Sequence, residues 1–155
     1  MRLPRRIREQ EGLSYSVRSW LSASAIDAVG EFGISAIYAP QNRARIETAI
    51  LEVLRQALRD GFSDAEVAAA RTGYLALRKI GRTRDGALAG RLANNLYLGR
   101  RFAWDADLDA RIAALTPVQI QDALKRYLDP NKLSIVKAGD FTRIAEGSSV
   151  ADKKN

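Results

Sequence analysis

The hydrophobic period of this chain changes near residue 42, from two residues to about 3.6, and that change limits the fold more than any single residue does. Before it, Leu13, Tyr15, Val17 and Leu21 alternate with Ser14, Ser16, Arg18 and Trp20. After a loop around 27–30, Phe32, Ile34, Ala36 and Tyr38 alternate with Gly33, Ser35 and Ile37, and Pro40 closes the run. The pattern predicts two half-buried strands, over 13–23 and 32–38, paired antiparallel. Ahead of them, 3–11 reads as the end of a helix stopped at Gly12, where a residue without a Cβ takes the left-handed turn.

Beyond residue 42 the apolar residues recur at helical spacing. Ile46, Ile50, Val53, Leu54, Ala57 and Leu58 form one stripe between an Asn42 cap and Gly61. Ser63 with Glu66 is a capping box opening a second helix, whose stripe of Val67, Ala70, Tyr74, Leu77 and Ile80 runs toward Gly81. Leu88, Leu92 and Leu96 mark a helix over 85–98, and Leu108, Ile112 and Leu115 a short one. Thr116 with Pro117 and Gln119 starts the last, through a second capping box and a proline at the first turn. Leu133, Ile135, Val136 and Ala138 predict a closing strand. Strands grouped ahead of helices, with no βαβ alternation, predict an α+β fold in which several helices pack on one face of an antiparallel-rich sheet.

Composition removes whole classes of chemistry. The 155 residues include no histidine and no cysteine, so imidazole and thiolate metal sites are both impossible. No apolar run approaches the roughly 18 residues of a membrane span, so no membrane partner is expected. The amino terminus, Met1 to Arg8, is basic but leads into Glu9-Gln10-Glu11 rather than an apolar core, and is no secretory signal. Compartment stays open between the bacterial periplasm and the cytoplasm. The net charge of +7 invites a nucleic-acid reading. Against it, the arginines are dispersed along amphipathic segments, clustering only at 2–8, at Arg82 with Arg84 and at Arg100-Arg101. A solvated basic surface is the simpler account, and no specific nucleic-acid partner is expected.

Two stretches carry a resemblance. Arg8-Glu9-Gln10-Glu11-Gly12-Leu13-Ser14-Tyr15, and Asp129 to Asp140 (DPNKLSIVKAGD), resemble the insulinase and pitrilysin family of zinc metallopeptidases. The first matches an R-x-x-x-G-L-x-Y motif at a helix-to-strand junction in the family's non-zinc domain, and the second its closing strand. The resemblance implies a fold like part of a processing-peptidase domain, with residues 1–141 a partial carboxyl-terminal, substrate-binding domain, and the small, polar composition of the end of the chain predicts a disordered tail over 142–155. It also implies a division of labour. Family members bind zinc through H-x-x-E-H in another domain, so zinc is expected in a missing partner and no cofactor in this chain.

By the same resemblance Arg8 and Tyr15 occupy the positions that hold substrate carbonyl groups, with Gly12 the structural turn between them. A guanidinium and a phenol aimed at a peptide carbonyl are the fixed donors that stabilise developing oxyanion charge. Read without the family, Arg8 is one of four arginines in the first eight residues, a solvated helix residue, and Tyr15 on the more apolar strand face is a core or rim residue. Two departures from the family stand out: residue 1 falls inside the family's domain, and Pro4 occupies a helix position usually apolar. The expected partners are the zinc-bearing domain or subunit, a peptide substrate, and another copy through an exposed sheet edge. An inactive partner subunit acting as a scaffold, or a basic nucleic-acid module, are the alternatives.

Overall fold

The computed structural model describes residues 2–141, so the expected disordered tail at 142–155 lies outside them. The fold is α+β. A helical turn at Arg2–Pro4 (α1) runs directly into a π-helix at Arg5–Gln10, followed by strands Ser16–Ala23 (β1) and Gly30–Ile37 (β2) and a 3₁₀ turn at Pro40–Asn42. Five helices follow: Arg43–Asp60 (α2), Asp64–Gly81 (α3), Asp85–Tyr97 (α4), Ala103–Ala114 (α5) and Pro117–Tyr127 (α6). Among the described residues the sheet has two strands, β1 paired with β2. The described residues divide into two compact units, one of 2–22, 30–59 and 128–141, the other of 23–29 and 60–127.

In the first unit the core forms where the opening helix, the hairpin and α2 converge. Ile7, Leu13, Ile46 and Ala49 are buried together, with Leu3, Val17, Ala36, Tyr38 and Ile50 packed against them. The α2 stripe read from the sequence is the face that is buried, at Ile46, Ala49, Val53, Leu54 and Ala57. Within the hairpin the Trp20 ring lies against Gly33, where a Cβ would collide with the indole, so only glycine permits this close approach. The indole N–H is satisfied by Glu31 at 3.1 Å.

The second unit is held by local caps and by charge. Ser63 N–H donates to Glu66 at 2.9 Å while Glu66 N–H donates to Ser63 Oγ at 3.2 Å, completing the α3 capping box. The α6 box is complete as well, with Thr116 N–H on Gln119 at 2.9 Å and Gln119 N–H on Thr116 Oγ1 at 3.3 Å. Arg71 donates to the carbonyls of Ala113 and Leu115, at 2.9 and 2.8 Å, satisfying acceptors that the end of α5 leaves free.

Four expectations change. Asn42 does not cap α2; it ends the 3₁₀ turn, and its side-chain amide reaches back 3.4 Å to the Leu13 carbonyl. The helix expected around Leu108 begins earlier, at Ala103. Leu133 to Ala138 joins no ladder, with Ile135 and Val136 exposed, because an alternating apolar pattern encodes a strand's faces but not a neighbour to pair with. The α3 stripe is buried only at Val67, and Leu77 stays 69% exposed. Periodicity marks which face is apolar, not whether another element covers it. No helix among the described residues is long and apolar enough to cross a membrane.

Candidate functional site

The junction between the opening helix and β1 is built from backbone and buried side chains rather than from strand pairing. Gly12 takes φ +61°, the left-handed conformation that ends the helix, and Leu13 N–H then donates to the Ile7 carbonyl at 2.8 Å. That bond spans six residues, one more than the usual helix-ending bond, because the π-helix at Arg5–Gln10 widens the final turn. Ile7 is wholly buried beneath it. Glu11, at the same turn, receives Arg6 Nε at 2.7 Å and lies 3.7 Å from Arg45 of α2, and Arg6 also donates to Glu52 at 3.0 Å. These ion pairs tie the helix end to α2.

Of the residues expected in the site, Gly12 is in the left-handed turn, and Arg8 and Tyr15 leave it on exposed paths. Tyr15 is 89% exposed and makes no hydrogen bond or ring contact among the described residues. The expectation from its alternation with Leu13 and Val17, a core or rim position, is overturned. β1 starts only at Ser16, so the segment after Gly12 is not yet pleated, and Leu13 and Ser14 turn inward in succession while Tyr15 turns out. Arg8 has a half-exposed side chain whose partner is the adjacent Glu9 at 3.7 Å, a surface pair of small energetic consequence. Nothing among the described residues joins Arg8 to Tyr15 directly.

The densest charge constellation lies elsewhere and was not foreseen. Asp105 of α5, only 4% exposed, accepts from Arg78 of α3 at 3.0 Å, from Arg91 of α4 at 3.2 Å and from Asn95 of α4 at 2.7 Å. Arg78 also pairs with Asp109, which receives Arg82 at 2.7 Å. Burial disfavours the charged Arg78 guanidinium, but the hydrogen bond and charge of Asp109, aided by Asp105, outweigh it and hold its pKa above the ordinary arginine value. Loss of water contact alone would raise the Asp109 carboxyl, and the hydrogen bonds from Arg78 and Arg82 more than reverse this, holding it below its usual range. With its carboxylates spent on three guanidinium groups and an amide, the cluster is a clamp across α3, α4 and α5. Partners 10 to 31 residues apart leave no local signature, so no sequence spacing could have revealed it.

None of this suits zinc. Among the described residues no three His, Cys, Asp or Glu side chains gather as metal ligands. Carboxylates already paired with arginine are poor competitors for a cation.

Comparison with known proteins fits this geometry. Residues 1–74, which include the whole Arg8–Tyr15 junction, match the family model of the peptidase M16 inactive domain. The resemblance to the non-zinc domain of insulinase-type peptidases is thus supported over residues 1–74, while the second motif, 129–140, lies beyond the matched residues. The solved structures that share the fold include the following two. One is a peptidase M16 inactive domain from Pseudomonas fluorescens, with a TM-score of 0.71 and 21% identity over 85% of this chain. The other is the periplasmic protease PqqL from Escherichia coli, with a TM-score of 0.66 and 24% identity over 81% of this chain. This chain spans 31% and 14% of their respective lengths. No curated protein matches it.

Proposed function

We propose that this chain is a substrate-holding and closing element of an M16 zinc peptidase, inactive alone, in which Arg8 and Tyr15 contact the peptide backbone. The observation that carries the reading is the posture of Tyr15: a large aromatic side chain almost fully exposed, projecting from a backbone fixed on both sides, inside the stretch that matches an M16 inactive domain. A tyrosine without a partner of its own, held out from an ordered turn, is available to a ligand. Its hydroxyl and the half-exposed Arg8 guanidinium would donate hydrogen bonds to a substrate carbonyl, a role that requires fixed donors. Water activation would fall to the zinc of the partner domain, which this chain cannot supply.

The open edges of the two-stranded sheet and the unpaired 133–138 segment offer places where a strand of the partner or of another copy would add. The test is recovery of a partner. A tagged chain should retain a protein whose sequence carries H-x-x-E-H, and the two together should cleave a short peptide that neither cleaves alone. Chelator-sensitive cleavage by the pure chain, or an H-x-x-E-H partner fully active without it, would refute the proposal.

A further inference from the structure

Among the described residues the Tyr15 side chain makes no hydrogen bond or ring contact, so the backbone on either side is what aims it. Three bonds meet there. Leu13 N–H donates to the Ile7 carbonyl, and the Leu13 carbonyl accepts from the side-chain amide of Asn42 at 3.4 Å. Ser14 is 5% exposed, and its hydroxyl lies 2.6 Å from the Ile37 carbonyl at the end of β2 and 2.9 Å from the Ser16 carbonyl at the start of β1. A hydroxyl carries a single proton, so the shorter contact, to Ile37, is the one that ties this segment to the opposite strand. Tyr15 therefore sits between a residue stitched across the hairpin and the first residue of a strand, with the segment before it anchored to the helix end and to the 3₁₀ turn.

We propose that Ser14, assisted by Asn42, is a positioning residue that fixes the direction of Tyr15, resting on the reading of Tyr15 as a substrate contact. The bland alternative is a buried serine that merely satisfies a strand-end carbonyl. The two differ in a measurable way. A stabilising residue affects activity whatever residue stands at 15, whereas a positioning residue matters only while the Tyr15 hydroxyl is present. Displacement of a reacting group by about 1 Å costs up to roughly 100-fold in rate, so loss of one of three anchors should be felt.

The experiment is a double-mutant cycle on peptide cleavage by the complex with the zinc-bearing subunit, together with amide hydrogen exchange on the full chain alone. Ser14→Ala should lower kcat about tenfold with KM within about twofold, and should cost less than about twofold more in a Tyr15→Phe background. Exchange at the Leu13 amide, which is hydrogen-bonded to the Ile7 carbonyl, should accelerate about tenfold as the segment before Tyr15 loosens, with the amides of α2 unchanged. An equal loss in both backgrounds, or unchanged exchange at the Leu13 amide, overturns the positioning role while leaving the substrate contact standing. A Tyr15→Phe variant with full turnover overturns both. Should Ser14→Ala fail to fold, Asn42→Ala, at a half-buried site, supplies the same cycle with the same criteria.

Discussion

Asn95 donates its side-chain amide to Oδ2 of Asp105 across 2.7 Å, and both residues are buried. Around that contact Arg78 and Arg91 supply the positive charge that makes a carboxylate tolerable there. Asp105→Ala removes the shared acceptor and leaves Arg78, which is 12% exposed, with Asp109 as its remaining anion. Breaking one side of a buried pair costs about 3 kcal/mol. Urea unfolding should show a lower midpoint with an unchanged slope, and Asp105→Asn, which keeps the shape but loses the charge, should fall between wild type and alanine.

That network also marks the boundary of what could be read from the sequence. The two capping boxes were legible because their partners stand three residues apart, and a serine or threonine before a glutamate or glutamine encodes its own geometry. The hairpin, the α2 stripe and the Gly12 turn were legible for the same reason, since each is written in a local period or a single permissive residue. Asp105 carries no such signal, because its partner Arg78 stands 27 residues earlier. Leu77 looked like core because periodicity reports a face, while burial depends on what lies opposite. In the site itself, Gly12 and the Arg8 to Tyr15 spacing were visible, but the outward turn of Tyr15 was not, since it depends on Ser14 reaching across to Ile37.

Acid should weaken the second unit through Asp109. Its carboxyl titrates below the usual 3.8 because Arg78 and Arg82 hydrogen-bond the charged form, so the folded state binds the proton less readily than the unfolded chain. The resulting stability is fully present above the unfolded value and is lost as pH falls below about 3.8 through the folded pKa. Comparing urea midpoints between pH 6 and pH 3 for wild type and Asp109→Asn should show a smaller acid-induced drop in the variant. An identical drop would remove Asp109 from the account.

Two glycines should fail on substitution for different reasons. At Gly12 a Cβ meets nothing within 4 Å, so Gly12→Ala is penalised only by the left-handed backbone at φ +61°, about 1 kcal/mol. At Gly33 the added carbon would strike the Trp20 ring, so the damage is steric and belongs to the pair. Thermal unfolding should accordingly show Gly33→Ala relieved by a second change of Trp20→Val, with no such relief for Gly12→Ala.

Tyr15→Phe should separate function from folding more cleanly than any other change in this chain. Phenylalanine keeps the ring and deletes the hydroxyl, and at a side chain 89% exposed with no hydrogen-bond partner the fold has nothing to lose. Stability should stay within about 0.5 kcal/mol of wild type, as for surface substitutions in general. If the hydroxyl donates to the reacting carbonyl, turnover by the complex with the zinc-bearing subunit should fall by about 10² to 10³, the cost of one oxyanion donor. Arg8→Lys keeps the charge but loses the planar fork, so its defect should be smaller on a minimal peptide and grow with peptide length, as backbone contacts beside the scissile bond come into play. Steady-state cleavage of a short and a long peptide by wild type and both variants, with zinc content measured in each complex, makes the comparison. Full turnover in Tyr15→Phe would return Tyr15 to an exposed aromatic without a task, and a fall in turnover that tracked lost zinc would assign the defect to assembly rather than to the carbonyl contact.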